Sequence, residues 1–448
     1  MPTITKVIHI ILFILILSGC SQVALNTSLD KKLATNPDVI VNTGLDILLE
    51  NHIDSLYGNR IALVTNHSGI DKYGNSNIAQ LFIKTAVQIE TIFTPERDVS
   101  QQGTSNSNDA RIAKIFSPEH GFTGNIPRGE DVNDDSILSN ILPVISLYGK
   151  IRKPTKQMLS NIDLIIYDIQ DIGARFYTYI STLGLVMEAA AEANIPVIIL
   201  DRPNPIGNKV EGPVLDKNFK SFIGQYPIPI RYGMTVGELA KMIVKEKMIT
   251  PTPKLTVIPM ENYNRNLYYD ETNLPWTNPS PNIPDLETAI IYPGFCLIEA
   301  TNVSEGRGTY SPFKQIGAPW IESVSLLTIL ENHDLNGVTF KETSFTPNSI
   351  STMSKYPKYE NEKCNGIEIN ITNRDTYNSI LTGVTILWAI NKLYPNKFII
   401  NQESMGRLWG SNQLVKQLNE GKTPIEIANS FKDDLSNFRE IRKKYLMY

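Results

Sequence analysis

Cysteine is scarce in this chain of 448 residues: there are three, and no CxxC pair. A disulfide framework is excluded, and a zinc knuckle has no ligand set. Histidine is nearly as rare. Of the five, His9 lies in an N-terminal apolar run, and His52, His67, His120 and His333 are not spaced as metal pairs. No metal or other cofactor is expected. Charge of one sign is also lacking, since 42 basic and 46 acidic residues give a formal net charge of -4. Without a broad basic face, nucleic acid is not expected as a partner. No G-x-S-x-G elbow is present, so the common serine-hydrolase signature is missing. No G-x-G-x-x-G follows an apolar run, which removes the dinucleotide fingerprint. Gly421-Lys422-Thr423 is similar to the end of a phosphate loop, but Lys416 stands where the first glycine belongs.

The remaining composition is that of a folded protein. Hydrophobic residues make up 42% and charged residues 20%, which argues against a disordered chain. With 27 glycines and 27 prolines, turns are plentiful and a coiled coil is excluded. At roughly 150 residues per domain, two or three domains are expected.

The N-terminus reads as an address. Lys6 precedes an apolar run from Val7 to Leu17, followed by Leu17-Ser18-Gly19-Cys20. This resembles the lipobox of bacterial lipoproteins. Residues 1–19 are expected to be a signal peptide, Cys20 the lipidation site, and residues 20–40 a flexible tether. An ordinary secretory signal or a short anchor is the competing reading, although the apolar run is short for a membrane span. Ser21 stands where an inner-membrane retention signal would put Asp. The expected location is therefore the cell envelope, lipid-anchored to the membrane through Cys20, at an outer membrane and facing the periplasm. Cys296 and Cys364 could pair in an oxidising compartment or stay as buried thiols.

Four apolar runs punctuate the first half: Ile61–Thr65, Ala113–Phe116, Asp163–Tyr167 and Pro196–Leu200. Runs apolar on both faces suit buried parallel strands. Helical periodicity lies between them, as in Thr182–Ala193. The expected class is α/β, a Rossmann-like doubly wound parallel sheet with a second, smaller α+β domain. A composition shift at Thr250-Pro251-Thr252-Pro253 places the domains at 41–250 and 251–448. The second holds a strand at Gly366–Thr372 and helices at Ser379–Leu393 and Pro424–Phe438. Residues 97–110 read as a loop insertion. Ile92–Glu96 echoes Ile115–Glu119, too briefly to count as a repeat.

Each run ends in polar residues: Asn66-His67, Glu119-His120, Asp168 with Asp171, and Asp201-Arg202 with Asn204. The carboxyl edge of an open α/β sheet is where ligands bind. Asp and Asn after a strand also simply make turns, but four such ends together favour a site. Carboxylates, arginines, amides and aromatics suit a sugar. Glycosidic cleavage commonly takes two carboxyl groups about the scissile bond, with Glu119, Asp168, Asp171, Asp201, Glu211, Glu299 and Glu305 as candidates. Glu119 stands out because it closes a buried run between Pro118 and Gly121.

Longer motifs carry a family resemblance. They are Ser117–Phe122, Ser146–Gly149, Tyr167–Tyr179, Leu200–Gly207, Glu211–Pro213, Arg231–Thr235, Trp276, Pro279–Pro284, Tyr292–Gly294 and Thr301–Thr309. Together they resemble the exo-β-N-acetylmuramidases, glycoside hydrolases once filed as a family of unknown function. The resemblance runs from about residue 40 to the C-terminus. The 97–110 segment departs from the family's compact spacing before the Pro-Glu-His-Gly motif, which puts the loop geometry there in doubt.

The resemblance implies a Rossmann-like domain, a smaller C-terminal domain and a cleft between them. It also implies release of N-acetylmuramic acid from the non-reducing ends of peptidoglycan-derived saccharides, in cell-wall turnover and recycling. Glu119 is expected to be the general acid, modulated by His120 and His67. Asp168, Asp171, Glu211 and Glu305 compete for the second catalytic role, and the sugar's 2-acetamido group is a further alternative. N-acetylmuramic acid bears a lactyl carboxylate, which an arginine fork suits. Arg175, Arg202, Arg231 and Arg307 are the candidates, each equally able to brace a loop. Asn66, His67, Asp171, Tyr177, Asp201, Asn204, Glu211, Asn282 and Glu305 complete the expected binding set. Tyr179 and Trp276 could stack the sugar or fill the core. A tethered muropeptide-binding protein without hydrolysis is the main alternative. A cell-envelope amidase or esterase is a weaker one.

Overall fold

The computed structural model describes residues 39–85, 88–89, 110–127 and 142–448. The expected signal peptide, Cys20, the tether up to residue 38, the 92–96 echo and residues 97–109 lie outside the described residues.

Seven strands form one parallel sheet: β1 (Arg60–Thr65), β2 (Gln88–Ile89), β3 (Arg111–Ser117), β4 (Val144–Ser146), β5 (Leu164–Asp168), β6 (Val197–Leu200) and β7 (Leu255–Ile258). The order is β2-β3-β1-β5-β6-β7, and β4 pairs with the carboxyl-terminal half of β3. From β1 the chain sets β2, β3 and β4 on one side, with β3 next to β1. It then returns to set β5 on the other side of β1. The strand order therefore reverses between β1 and β5, the place where doubly wound folds open a ligand crevice.

Side-chain alternation explains why these runs are buried on both faces. Ala62, Val64, Phe116, Ile165, Tyr167, Val197 and Ile199 pack into one core. Ile61, Leu63, Ile112, Ile115, Leu164, Ile166, Ile198 and Leu200 pack into the other. Each such side chain contributes roughly 1.5–3 kcal/mol on burial. A one-residue slip would exchange the two faces, so the register is strongly held. Helix α1 (Asn77–Thr85) covers one face through Ile78 and Leu81. Helices α2 (Tyr179–Glu192) and α3 (Val236–Lys245) cover the other. A Thr235/Glu238 capping box starts α3, satisfying end N–H groups that have no helical partner.

The second unit is a small antiparallel sheet, β8 (Gln315–Ala318), β9 (Val338–Phe345) and β10 (Cys364–Ile371), in the order β8-β10-β9. It packs with α4 (Leu286–Phe295), α5 (Ser323–Glu331) and α6 (Ser379–Leu393). Helices α4 and α6 cross where Gly294 meets Gly383. A Cβ on Gly383 would lie 2.4 Å from the Gly294 carbonyl oxygen, so only glycine permits this approach. Helix α7 (Gln402–Trp409) and three further helices close the described chain.

The structure differs from the sequence reading in two places. Strand β7 lies beyond the expected boundary at 250/251, yet it pairs in parallel with β6 as part of the first sheet. The Thr/Pro run before it is the loop that leads from α3 into β7, not a linker between domains. The expected helix Pro424–Phe438 is two, Pro424–Asn429 and Lys432–Lys443. Cys296 and Cys364 are both buried, and no disulfide joins them.

Candidate active site

Strand β3 ends in a tight turn that presents Glu119. The Gly121 amide donates to the Pro118 carbonyl (3.1 Å), and His120 and Gly121 both take positive φ, 71° and 73°. A left-handed histidine is uncommon and costs of order 1–3 kcal/mol. The surrounding bonds hold it there. His120 Nδ1 lies 2.7 Å from the Ile126 carbonyl, and the Ile126 amide donates back to the His120 carbonyl (3.3 Å).

The turn faces a cavity of about 610 Å³, within the usual range for a small-molecule site. Its walls come from both units. Glu119, His120, Tyr177 and Thr178 stand on the sheet side, and Asn282, Tyr292, Glu299 and Arg307 on the other. Among the described residues, Glu119 and Glu299 are the carboxylates on this wall. The Thr178 hydroxyl donates to Glu119 Oε2 (2.7 Å), which fixes the carboxyl group and leaves its other oxygen to the cavity. Glu299 accepts from Arg307 (2.8 Å). Tyr177 is edge-on to Tyr179 at 4.7 Å, and Tyr292 is edge-on to Phe313 at 4.9 Å.

His67 stands behind the turn and not on the cavity wall. Its amide donates to the Phe122 carbonyl (2.8 Å), and its ring lies against Gly124, where a Cβ would meet the imidazole at 2.0 Å. Nε2 is 2.7 Å from the Asn278 carbonyl. A carbonyl only accepts, so Nε2 carries the proton. Burial lowers the pKa of this imidazole; the Asn278 bond acts the other way, and His120 adds to the lowering. His67 is thereby held neutral, locking the β1 and β3 loops together.

Of the expected site residues, Glu119, His120, Tyr177, Asn282 and Arg307 reach the cavity. The other strand-end residues are engaged elsewhere. Asp168 is fully buried, ion-paired to Arg202 at 2.6 Å and bonded to Asn77 at 2.7 Å. Arg202 also donates to the Ile70 carbonyl. Asp201 accepts from Thr235, the Gly237 amide and the C-terminal Tyr448 (2.7, 2.8 and 2.7 Å). Its burial pushes its carboxyl up to about 7. Asp171 accepts from the Gly173 amide (2.7 Å) and from Tyr232, and burial raises it to about 6. Asn204 bonds Met234 and its own loop. Asn66 ties Ser68 to Tyr179, whose hydroxyl donates to the Pro279 carbonyl.

Two expected lactyl-binding arginines are also structural. Arg175 is fully buried and donates to the carbonyls of Pro213, Ile228 and Leu408. It thus ties the two units together, and burial lowers its pKa to about 9. Arg231 is buried against Glu211 at 3.1 Å. Glu305 is held by Lys358 (3.0 Å) and Arg307 (3.4 Å) behind the wall. Burial alone would raise its carboxyl, but the two cations outweigh it and hold it below its ordinary value. Trp276 packs on Tyr269 at 5.2 Å, away from the cavity. Tyr148, from the Ser146–Gly149 motif, and Arg152, Phe222 and Arg407, which lie in none of the motifs, complete the wall. Arg152 and Phe222 sit in loops, and Arg407 on α7, that only the fold brings to the rim.

Comparison with known proteins identifies the family. Family models for the N- and C-terminal domains of the exo-β-N-acetylmuramidase NamZ match residues 100–287 and 290–448. A peptidoglycan β-N-acetylmuramidase, NamZ, of Bacillus subtilis is 39% identical over 427 residues, covering 95% of each chain. A crystal structure of a DUF1343 family protein from Bacteroides fragilis superposes with a TM-score of 0.79 at 32% identity, covering 92% of this chain and 100% of that one. A second from the same organism gives 0.70 at 31%, covering 91% and 99%. The chain belongs to the exo-β-N-acetylmuramidase family.

Proposed function

We propose that Glu119 is the general acid of an exo-β-N-acetylmuramidase that removes terminal non-reducing N-acetylmuramic acid from peptidoglycan-derived glycans. The observation that carries this reading is the cavity itself. Its wall holds Glu119, steadied by Thr178, and a second carboxylate, Glu299. Glu119 donates its proton to the bridging oxygen as the C1–O bond breaks, and that oxygen keeps the bonding electron pair. The next sugar then leaves as a neutral alcohol. Positive charge develops at C1, and water supplies the hydroxyl that completes hydrolysis. Glu299 takes the second role, for which the sequence offers Asp168, Asp171, Glu211 and Glu305. Those four are buried in other contacts or stand off the wall. The anomer released, read by NMR, assigns Glu299 as base under inversion or as nucleophile under retention.

Supplying MurNAc-GlcNAc and GlcNAc-MurNAc and following products by mass tests the reading. Cleavage of the first alone is expected. Cleavage of the second alone, or of neither, contradicts it. The lipobox-like Leu17–Cys20 supports a lipid tether in the cell envelope, placing the enzyme near wall fragments. Cys20→Ala should release the protein from the membrane fraction, and unchanged fractionation would exclude the tether.

A further inference from the structure

The substrate carries a carboxylate, so the cavity should offer a cation whose donors are not already taken. Arginine reaches the wall at three places: Arg152, Arg307 and Arg407. Arg307 lies between Glu299 at 2.8 Å and Glu305 at 3.4 Å, so its charge is already matched. Arg407 is ion-paired with Glu403, one turn earlier on α7. Arg152 differs. Its guanidinium lies over the Phe222 ring, 4.4 Å from the centroid. The residue is exposed, and among the described residues no carboxylate pairs with it.

Its support is built from three segments. Tyr148, fixed by reciprocal bonds with Ser146 at the end of β4, packs tilted against Phe222 with ring centroids 6.1 Å apart. Phe222 sits in a turn closed by paired bonds between Ser221 and Gly224. Stacking on an aromatic face holds the guanidinium plane and leaves its edge N–H donors pointing outward. A planar fork with open donors is the group that grips a carboxylate through two parallel bonds.

We propose that Arg152, braced on Phe222, grips the lactyl carboxylate of the terminal sugar and is the residue that selects N-acetylmuramic acid over N-acetylglucosamine. This rests on the reading of the cavity as a muramidase site and adds the origin of its specificity. Arg152 is a specificity residue that acts in binding and takes no part in proton transfer. None of the arginines in the family-like motifs fills this role, since those off the wall are buried and the one on it is neutralised.

The test uses the full-length protein and three 4-nitrophenyl β-glycosides: N-acetylmuramic acid, the same sugar with its lactyl group as the methylamide, and N-acetylglucosamine. Wild-type should prefer the acid to the amide by about 10- to 100-fold in kcat/KM, the worth of a charge-assisted pair. In Arg152→Ala that preference should collapse toward unity, through a raised KM for the acid, with the amide losing far less. Arg152→Lys should restore part of it. Arg407→Ala, on the same wall but already paired, should leave the acid/amide ratio as in wild-type. An undiminished ratio in Arg152→Ala overturns the proposal, as does a loss of ratio in Arg407→Ala. A wild-type protein that hydrolyses neither muramic acid compound instead overturns the underlying functional reading. An unchanged melting temperature for Arg152→Ala separates lost recognition from lost folding.

Discussion

The carboxyl ends of β3 and β5 make an instructive pair. Both strands are largely buried; β5 ends in an acid, and β3 leads into one in the turn that follows. At β3 that acid is Glu119, with one hydroxyl partner and a cavity before it. At β5 it is Asp168, beside the strand-order reversal where a ligand is expected, yet locked to Arg202 and Asn77. Asp201, at the end of β6, is likewise enclosed by Thr235, Gly237 and Tyr448. The usual crevice of a doubly wound sheet is here filled by the protein's own side chains. The cavity proposed as the site lies on the β3 side, where the second unit supplies the opposite wall. An acid at a strand end is thus a site or a brace according to what faces it.

This contrast can be broken by substitution. Glu119→Gln keeps an acceptor for Thr178, so it should fold normally and lose turnover by several orders of magnitude. Normal rates would move the acid elsewhere. Asp168→Ala should act the other way, by stranding a buried guanidinium. A loss of about 3–5 kcal/mol in denaturant unfolding is expected. A stable but inactive Asp168→Ala protein would make the brace a site.

Asp171 sharpens the same distinction through pH. Its folded-state value is about 6, against an ordinary 3.8. Between these values the unfolded chain releases its proton first. The wild-type contribution to stability therefore falls as pH rises from about 4 to 6 and is flat above that. Asp171→Asn lacks this contribution. Its stability relative to wild-type should improve by roughly 2–2.5 kcal/mol between pH 4 and pH 7, measured by urea unfolding at each pH. An unchanged difference would mean that Asp171 is not buried as described. The smallest effect belongs to the exposed pair on α7. Arg407→Ala should cost under about 0.5 kcal/mol, and a larger loss would mark Arg407 as part of the domain contact.

The fold is legible in the sequence because its physics is local. Apolar runs such as Ile61–Thr65 and Leu164–Tyr167 require burial on both faces, and helix Ser379–Leu393 begins and ends where its periodicity does. Strand β7 is separated from its sheet in the sequence reading because the prolines before it resemble a linker, and only pairing with β6 assigns it. At the site, Glu119 is legible from its place between Pro118 and Gly121 at the end of a strand. The roles of Arg175, Arg202 and Arg231 are not, because a guanidinium that binds substrate and one that braces backbone carbonyls look alike in sequence. Arg152 lies just beyond the Ser146–Gly149 motif and outside it. Its position depends on a turn far along the chain, at Phe222.

Proton donation by Glu119 is tested most directly by varying the leaving group. The β-glycoside of N-acetylmuramic acid with 2,4-dinitrophenol departs without protonation, whereas the disaccharide MurNAc-GlcNAc needs it. Glu119→Gln should lose several orders of magnitude in kcat on the disaccharide and far less in the bond-breaking step of the dinitrophenyl glycoside, followed as the dinitrophenolate burst or the single-turnover rate. Equal losses on both substrates would contradict the assignment of Glu119 as the acid.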